Sequence, residues 1–222
     1  MASCYGVQHS NAVSDGTKDV IKCCPYLPIT QSVTIDNESV ELELSCFQGV
    51  DEINQGFQLM NDVIIEGKSW PFMEPYESIG AYTSYFHSHA AFAVRFVDTA
   101  LHGTDILGCF YVKPNFPGRC SHICNGGFIT NPKFRGIGVG TFMGKAFKRI
   151  AKDLGYKGSL FNLVFSNNTA SVKLWLKLGF TKLAVIPSAA ILRTGHGDET
   201  EIVDAIQMYF DFTKIEQDST AN

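Results

Sequence analysis

The chain has 222 residues, 45% of them hydrophobic and 18% charged, a balance that excludes intrinsic disorder and supports one folded domain. A net charge of −4 at neutral pH and a pI near 5.8 leave no basic field for nucleic acid or anionic lipid, so neither is expected as a partner. Arg95 interrupts the apolar run around Val94 and Val97, and no stretch approaches the roughly 20 apolar residues of a membrane-spanning helix.

Residues 1–30 read as an irregular N-terminal segment, because Pro25 and Pro28 favour extended chain. Val33, Ile35, Val40, Leu42 and Leu44 then alternate with polar residues, predicting one or two strands over residues 32–46 with a turn at Asp36-Asn37. The period changes after Asp51. Ile53, Phe57, Met60 and Ile64 predict a helix over 51–66, with Asp51 as N-cap and Gly67 as its stop. Pro71 and Pro75 open a loop carrying Trp70, Phe72 and Tyr76, either a lid over a site or a satellite of the core. Strands are predicted over 91–97, 105–112 and about 120–130.

A helix follows over 139–154, where Phe142, Met143, Ala146, Phe147, Ile150 and Leu154 form one apolar stripe that Gly155 ends. Residues 159–165 read as a strand and 168–178 as a helix stopped by Gly179; strands at 180–186 and 205–212 complete the pattern. We therefore expect a single α/β domain over 31–214 and a tail over 215–222.

The segment 130–141 follows a strand and opens a helix. Gly136, Gly138 and Gly140 let the backbone approach a phosphate closely, and first-turn amides favour an anion. By itself the segment is equally a glycine-rich turn with no ligand. Its spacing, Arg135-x-x-Gly138-x-Gly140, resembles the pyrophosphate loop of the GCN5-related N-acetyltransferases. About thirty residues downstream, Asn168-x-x-Ser171-x-x-Leu174-Trp175-x-x-x-Gly179-Phe180 resembles the second acetyl-CoA motif of the same superfamily. Arg119 to Phe128, the strand at 159–165 and Asn168 narrow the likeness to the fungal L-azetidine-2-carboxylate (proline-analogue) N-acetyltransferases, over about residues 85–215.

That resemblance implies a mixed central sheet with splayed central strands flanked by helices. It implies acetyl-CoA as co-substrate and a small cyclic amino acid, azetidine-2-carboxylate or cis-4-hydroxyproline, or the pyrroline-5-carboxylate/glutamate semialdehyde pair, as acceptor. Main-chain atoms of Phe128, Ile129 and Thr130 would hold pantetheine along a free strand edge. Arg135 and the amides of Gly136, Gly138, Gly140 and Thr141 would hold the diphosphate, with Asn168 and Ser171 completing the cofactor site. Lys133, Lys145 and Arg149 are candidate counter-charges or solvated surface cations. Asn125, Asn162 and Asn168 map onto the family's substrate residues; a strand bulge at Asn125 and a plain N-cap at Asn168 are the structural alternatives.

The family's usual proton donor, a Tyr on the second helix, is Trp175 here. No Asp or Glu lies in 120–130 or 159–171 to act as base. We therefore expect Asn125 and Asn162 to clamp the carboxylate, Asn168 to hold the thioester end, and positioning to supply most of the rate. Family members form homodimers, and the apolar run Ile206, Met208, Tyr209, Phe210 and Phe212 reads as too apolar for a free edge. Another small amine, a peptide N-terminus or a non-catalytic acyl-CoA-binding module remain the rival functions.

Seven cysteines, an odd number, without an apolar signal segment fit reduced thiols in the cytoplasm. Asp15 and Asp19 ahead of the first arginine, Arg95, are unlike a mitochondrial leader, though import by a cryptic signal stays open. Cys120, His122 and Cys124 would alternate on one strand face if the strand starts at 120, with His87 and His89 as further ligand candidates. Buried thiols under a sheet are the commoner arrangement, and no metal is expected.

Overall fold

The computed structural model describes residues 16–195 and 199–214; the start of the N-terminal segment and the tail over 215–222 lie outside the described residues. Helix α1 (Gly16–Cys23) corrects the reading of residues 1–30 as irregular. Val20 and Cys24 are buried in the main core, so tertiary contact holds two helical turns that local propensity does not specify. Strands β1 (Ile29–Ile35) and β2 (Glu38–Cys46) pair antiparallel. Asp36 and Asn37 between them stand at φ 50° and 66°, the two-residue hairpin turn that these residues tolerate.

Helix α2 (Gly49–Glu66) begins two residues before its predicted start. Gln48, not Asp51, is the N-cap, and the Glu52 carboxylate accepts from the Gln48 N–H at 2.6 Å. Asp51 sits in the first turn instead, where its charge favours the helix dipole. Gly67 stops the helix at φ 69°, as predicted. Helix α3 (Ile79–Phe86) has no counterpart in the sequence reading; Ser78 Oγ caps it by accepting from the Ala81 N–H, and Tyr82 and Phe86 are its buried residues.

Strands β3 (Ala90–Phe96), β4 (Gly108–Pro114) and β5 (Ile123–Thr130) extend the antiparallel sheet, with the short α4 (Thr99–His102) between the first two. Then come α5 (Val139–Asp153), β6 (Gly158–Phe165), α6 (Thr169–Lys177), β7 (Thr181–Arg193) and β8 (Thr200–Asp211). The sheet order is β1-β2-β3-β4-β5-β6-β8-β7, and β5 with β6 is the parallel pairing. Alternating β4 residues serve two cores. Phe110 joins Phe147, Phe161 and Trp175 under α5 and α6; Tyr111 joins Met60, Ile64, Trp70, Tyr82 and Phe86 under α2 and α3. This is the mixed α/β sheet flanked by helices that the motifs imply.

Arg95 is buried and ties the two layers together. Its Nε and Nη2 donate to the two Glu52 oxygens at 2.7 and 2.9 Å, and Nη1 donates to Glu43 Oε1 at 2.8 Å and Ser45 Oγ at 2.6 Å. Such bidentate pairing compensates the desolvated guanidinium.

One expectation about the edge is overturned. Strand β8 lies between β6 and β7, and Ala205, Ile206, Met208 and Phe212 are buried by the chain itself. The apolar content of 205–212 therefore needs no partner to cover it. The edge strand at this end of the sheet is β7, where Leu183, Val185, Ile186 and Ile191 are exposed.

His87 closes α3 with its ring 4.6 Å from Phe47 and 5.4 Å from Tyr82. Its Nε2 is buried without a hydrogen-bond partner, and burial lowers its pKa from 6.5 to about 4. Between these values the unfolded chain binds the extra proton and the folded chain does not. Stability therefore falls as pH drops through this window, by roughly 3 kcal/mol in all. Calorimetric melts from pH 7 to pH 4 are expected to show that loss, and His87→Phe to flatten it; an unchanged slope in the variant would assign the loss elsewhere.

Candidate active site

Strands β5 and β6 pair at Ile123↔Gly158 and Cys124↔Ser159 and then separate. Beyond that point β5 stays on β4 through Thr130, while β6 follows β8 and bulges between Phe161 and Val164, which adds local twist. The β6-facing main chain of residues 125–130 thus has no strand partner and forms an edge for an extended ligand. Phe128 turns its ring onto Phe110, Phe147 and Trp175, with centroids 5.3, 5.2 and 4.7 Å away. Ile129 is buried in the opposite core. Both side chains are occupied by packing, so main chain is what these two residues can offer a ligand, the use the sequence assigns to Phe128, Ile129 and Thr130.

The turn after β5 leaves main-chain amides exposed at the start of a helix. Asn131 fixes its start, donating from Nδ2 to the Ile106 carbonyl and accepting at Oδ1 from the Lys133 N–H. Gly136 and Gly138 stand at φ 88° and 99°, where a Cβ is disfavoured. Gly138 is the N-cap of α5 and brings no side chain to cap it, leaving the first-turn amides through Thr141 to a ligand. A Cβ on Gly140 would meet nothing nearer than 3.7 Å, so the approach is open. A diphosphate fits this turn. Of the candidate counter-charges, Arg135 is 3.5 Å from Glu66 and Lys133 is 3.2 Å from Asp105, while Arg149 lies over the Tyr26 ring about three helical turns along α5 from Gly138, too far to reach the turn. Lys145 is exposed.

At the start of α6, Asn168 Oδ1 accepts from the Ser171 N–H at 3.1 Å. Ser171 Oγ accepts from the Trp175 indole N–H at 3.1 Å. Trp175 is 4% exposed, its ring centroid 4.7 Å from Phe128 and 4.5 Å from Phe161. Trp175, which the resemblance sets where a Tyr proton donor would stand, is here a core wedge between the separating strands.

Asn125 lies across the β4–β5 ladder from Lys113. Its Oδ1 accepts from the Gly126 N–H at 2.8 Å, which leaves its NH2 group for other contacts. Asn162 is engaged by a residue that the sequence reading missed. Asn115 Nδ2 donates to Asn162 Oδ1 at 3.0 Å and Asn162 Nδ2 donates back to Asn115 Oδ1 at 2.6 Å; Asn115 is buried and its N–H donates to the Ile123 carbonyl. In sequence the Pro114 to Gly118 run reads only as a turn. The three asparagines are thus placed at the wedge but not joined: Asn125 on one strand, Asn162 on the other, Asn168 at the helix that follows.

The aromatic loop belongs to the second core and also walls β5. A Cβ on Gly127 would come within 2.5 Å of both Trp70 Cη2 and Tyr111 Cε1, so only glycine lets those rings lie on the strand. Phe72 packs on Trp70, Tyr76 and Tyr85, and Asn61 bonds the Tyr76 main chain in both directions at 2.8 and 3.1 Å. The arrangement of Cys120, His122 and Cys124 on one strand face is corrected. Cys120 lies in a 3₁₀ turn and is exposed, β5 starts only at Ile123, and Cys124 is buried. Among the described residues no group of three His, Cys, Asp or Glu side chains could hold a metal ion, and six cysteines there are free thiols.

A strand-to-helix anion turn beside two parting strands is the architecture of an acyl-CoA-binding fold. Residues 60–180 match the acetyltransferase (GNAT) family, and the chain belongs to that family. It is 44% identical over 113 residues to N-acetyltransferase aca1 of Schizosaccharomyces pombe, covering 51% of this chain and 52% of that protein. It is 34% identical over 87 residues to protein SPT10 of Saccharomyces cerevisiae, covering 39% of this chain and 14% of that protein. The match thus spans about half the length of the first relative and far less of the second. A GCN5-related N-acetyltransferase from Kribbella flavida superposes with a TM-score of 0.67 at 23% identity, over 77% of this chain and 97% of that one. The yncA protein of Salmonella typhimurium, solved with its cofactor acetyl-CoA, superposes at 0.65 and 13% identity, over 77% and 94%.

Gly138→Val tests the anion turn. Valine cannot hold φ near 99°, so the amides should swing away and acetyl-CoA affinity fall by well over about tenfold while circular dichroism stays native. Unchanged calorimetric affinity in the folded variant would remove this loop from the cofactor site.

Proposed function

We propose that the protein is a cytoplasmic, acetyl-CoA-dependent N-acetyltransferase of small cyclic amino acids. The acceptors are of the azetidine-2-carboxylate or cis-4-hydroxyproline kind, or the proline-derived pyrroline-5-carboxylate/glutamate semialdehyde pair, and acetylation would confer resistance to toxic analogues and oxidative stress. One observation carries the reading: the gap between β5 and β6 has a glycine-rich turn with uncapped helix amides on one side and asparagine and aromatic side chains on the other. Bound there, acetyl-CoA supplies an activated acetyl thioester. The main chain of Phe128, Ile129 and Thr130 holds its pantetheine arm and the amides from Gly136 to Thr141 its diphosphate.

On the acceptor side Asn125 offers its NH2 group. Asn162, one N–H of which is bonded to Asn115, keeps a second for substrate. With no carboxylate on either strand segment and Trp175 bonded to Ser171, proton transfer by a dedicated acid or base is not part of this reading. The neutral amine attacks the thioester carbonyl, the C–S bond breaks, and the nitrogen's proton passes to solvent. A thiolate of pKa about 8.5 leaves unaided, and orientation supplies most of the rate. The loss of a Tyr acid at Trp175 is what favours the second reading, an acyl-CoA-binding module without turnover. A thiol-release assay across an amino-acid, polyamine and peptide panel separates them.

Asn125→Ala is expected to lower turnover on a proline analogue by roughly 10²-fold with acetyl-CoA affinity intact, and Asn125→Asp to do no better, because a second anion repels the carboxylate. A near-wild-type Asn125→Ala enzyme would take the acceptor away from Asn125. We also read the protein as a homodimer covering the apolar β7 edge; light scattering should give twice 24.5 kDa, and a monomeric mass at micromolar concentration would refute it.

A further inference from the structure

Lys113 is a half-buried cation that the reading above does not use. Its Nζ lies 3.5 Å from the Tyr85 ring centroid and 4.2 Å from that of Tyr111, and 3.5 Å from the Tyr85 carbonyl oxygen. The two tyrosines are themselves fixed. Their hydroxyls are 3.1 Å apart, their rings meet edge to face at 5.7 Å, and Tyr111 packs on Phe86 at 5.2 Å. The clamp is therefore preformed, and its faces favour a cation.

Among the described residues no anionic side chain completes it, and Lys113 makes no ion pair. The titratable groups around it are neutral near pH 7: burial raises the pKa values of Tyr85, Tyr111 and Tyr76, while burial and then Lys113 itself lower that of His89. Burial pulls the Lys113 ammonium down to about 8, as befits a desolvated charge without a counter-ion. Its position is specific as well. Lys113 pairs with Asn125 across the ladder, one residue past the last β5–β6 pair at Cys124. Opposed residues of an antiparallel pair share a sheet face with Cβ atoms about 5 Å apart, and this is the face of Tyr111 and Ile129, walled by Trp70.

We infer that Lys113 is the anion anchor of the acceptor site: its ammonium, clamped by Tyr85 and Tyr111 beside Asn125, binds the carboxylate of the acceptor and restricts acceptors to amines that carry one. The inference rests on the acetyltransferase reading and names its substrate class. A carboxylate there gains a charge-assisted bond from Lys113 and a second donor from the Asn125 NH2 group. The same cation lowers the pKa of the acceptor's own ammonium, which yields more of the attacking neutral amine in a site without a carboxylate base. A polyamine or a lysine-rich peptide meets the opposite field and is rejected.

The test compares azetidine-2-carboxylate with its carboxamide and with a polyamine, on the wild type, Lys113→Met, Lys113→Gln and Lys113→Arg. Turnover is read by thiol release, and binding by calorimetry on protein saturated with CoA, where no turnover occurs. The wild type is expected to prefer the acid. Lys113→Met and Lys113→Gln should weaken acid binding by about thirtyfold, leave carboxamide and CoA binding within a few-fold, and melt at or above the wild-type temperature; Lys113→Arg should keep part of the preference. An acid preference that survives in Lys113→Met, or a wild type that acetylates the polyamine as well as the acid, overturns the anchor and leaves the acetyltransferase reading standing. No turnover with any amine overturns the acetyltransferase reading, and calorimetry then decides on Lys113 alone: acid binding lost in Lys113→Met supports the anchor, and no acid binding in the wild type refutes it.

Discussion

Two residue pairs, Ile123↔Gly158 and Cys124↔Ser159, join β5 to β6, and every feature of the site follows from the end of that pairing. Several side chains enforce it. The Trp175 ring from α6 lies against both Phe128 and Phe161, filling the base of the gap from one face. On the other side the amides of Asn115 and Asn162 exchange two hydrogen bonds, holding the loop after β4 to β6 where the strand bulges. A parallel ladder continued through residues 125–130 would satisfy the same main-chain groups that an extended ligand must use. Leaving them unpaired is tolerable because the gap is open to water or ligand.

The two faces of the separated strands then divide the chemistry. In the proposed function, recognition toward α5 and α6 rests on main chain: an unpaired strand edge and the first turn of a helix whose N-cap is Gly138. Toward α2 and α3 it rests on side chains, with Lys113, Asn125, Tyr85 and Tyr111 at the gap and Trp70 against Gly127. On that proposal the first face holds the cofactor and the second selects the acceptor.

The buried Arg95 gives this second face its floor. By pairing with Glu52 of α2 and Glu43 of β2 it fixes where α2 starts. The helix in turn carries Asn61, which pins the aromatic loop at Tyr76. A charge that interrupts an apolar strand in the sequence is thus a strut between layers, and its full set of acceptors is what makes burial tolerable.

What the sequence determined by itself is what local chemistry encodes. The Asp36-Asn37 hairpin, the Gly67 and Gly179 helix stops, the apolar stripe of α5, the positive-φ glycines of the anion turn and the Asn168 cap all lie where they were read. Each depends on neighbours within a few residues, so period and turn chemistry reveal it. The tertiary structure alone decided that residues 16–23 and 79–86 are helical, since their stability comes from burying Val20, Tyr82 and Phe86 in distant cores. It decided that β8 inserts between β6 and β7, because strand order is set by pairings between remote segments and leaves no local mark. It also brought Asn115 to Asn162 over 47 residues and Lys113 to Tyr85 over 28. Nothing in the sequence singles out Asn115 or Lys113; only the burial and the ring faces around them, supplied by other elements, give them a chemistry of their own.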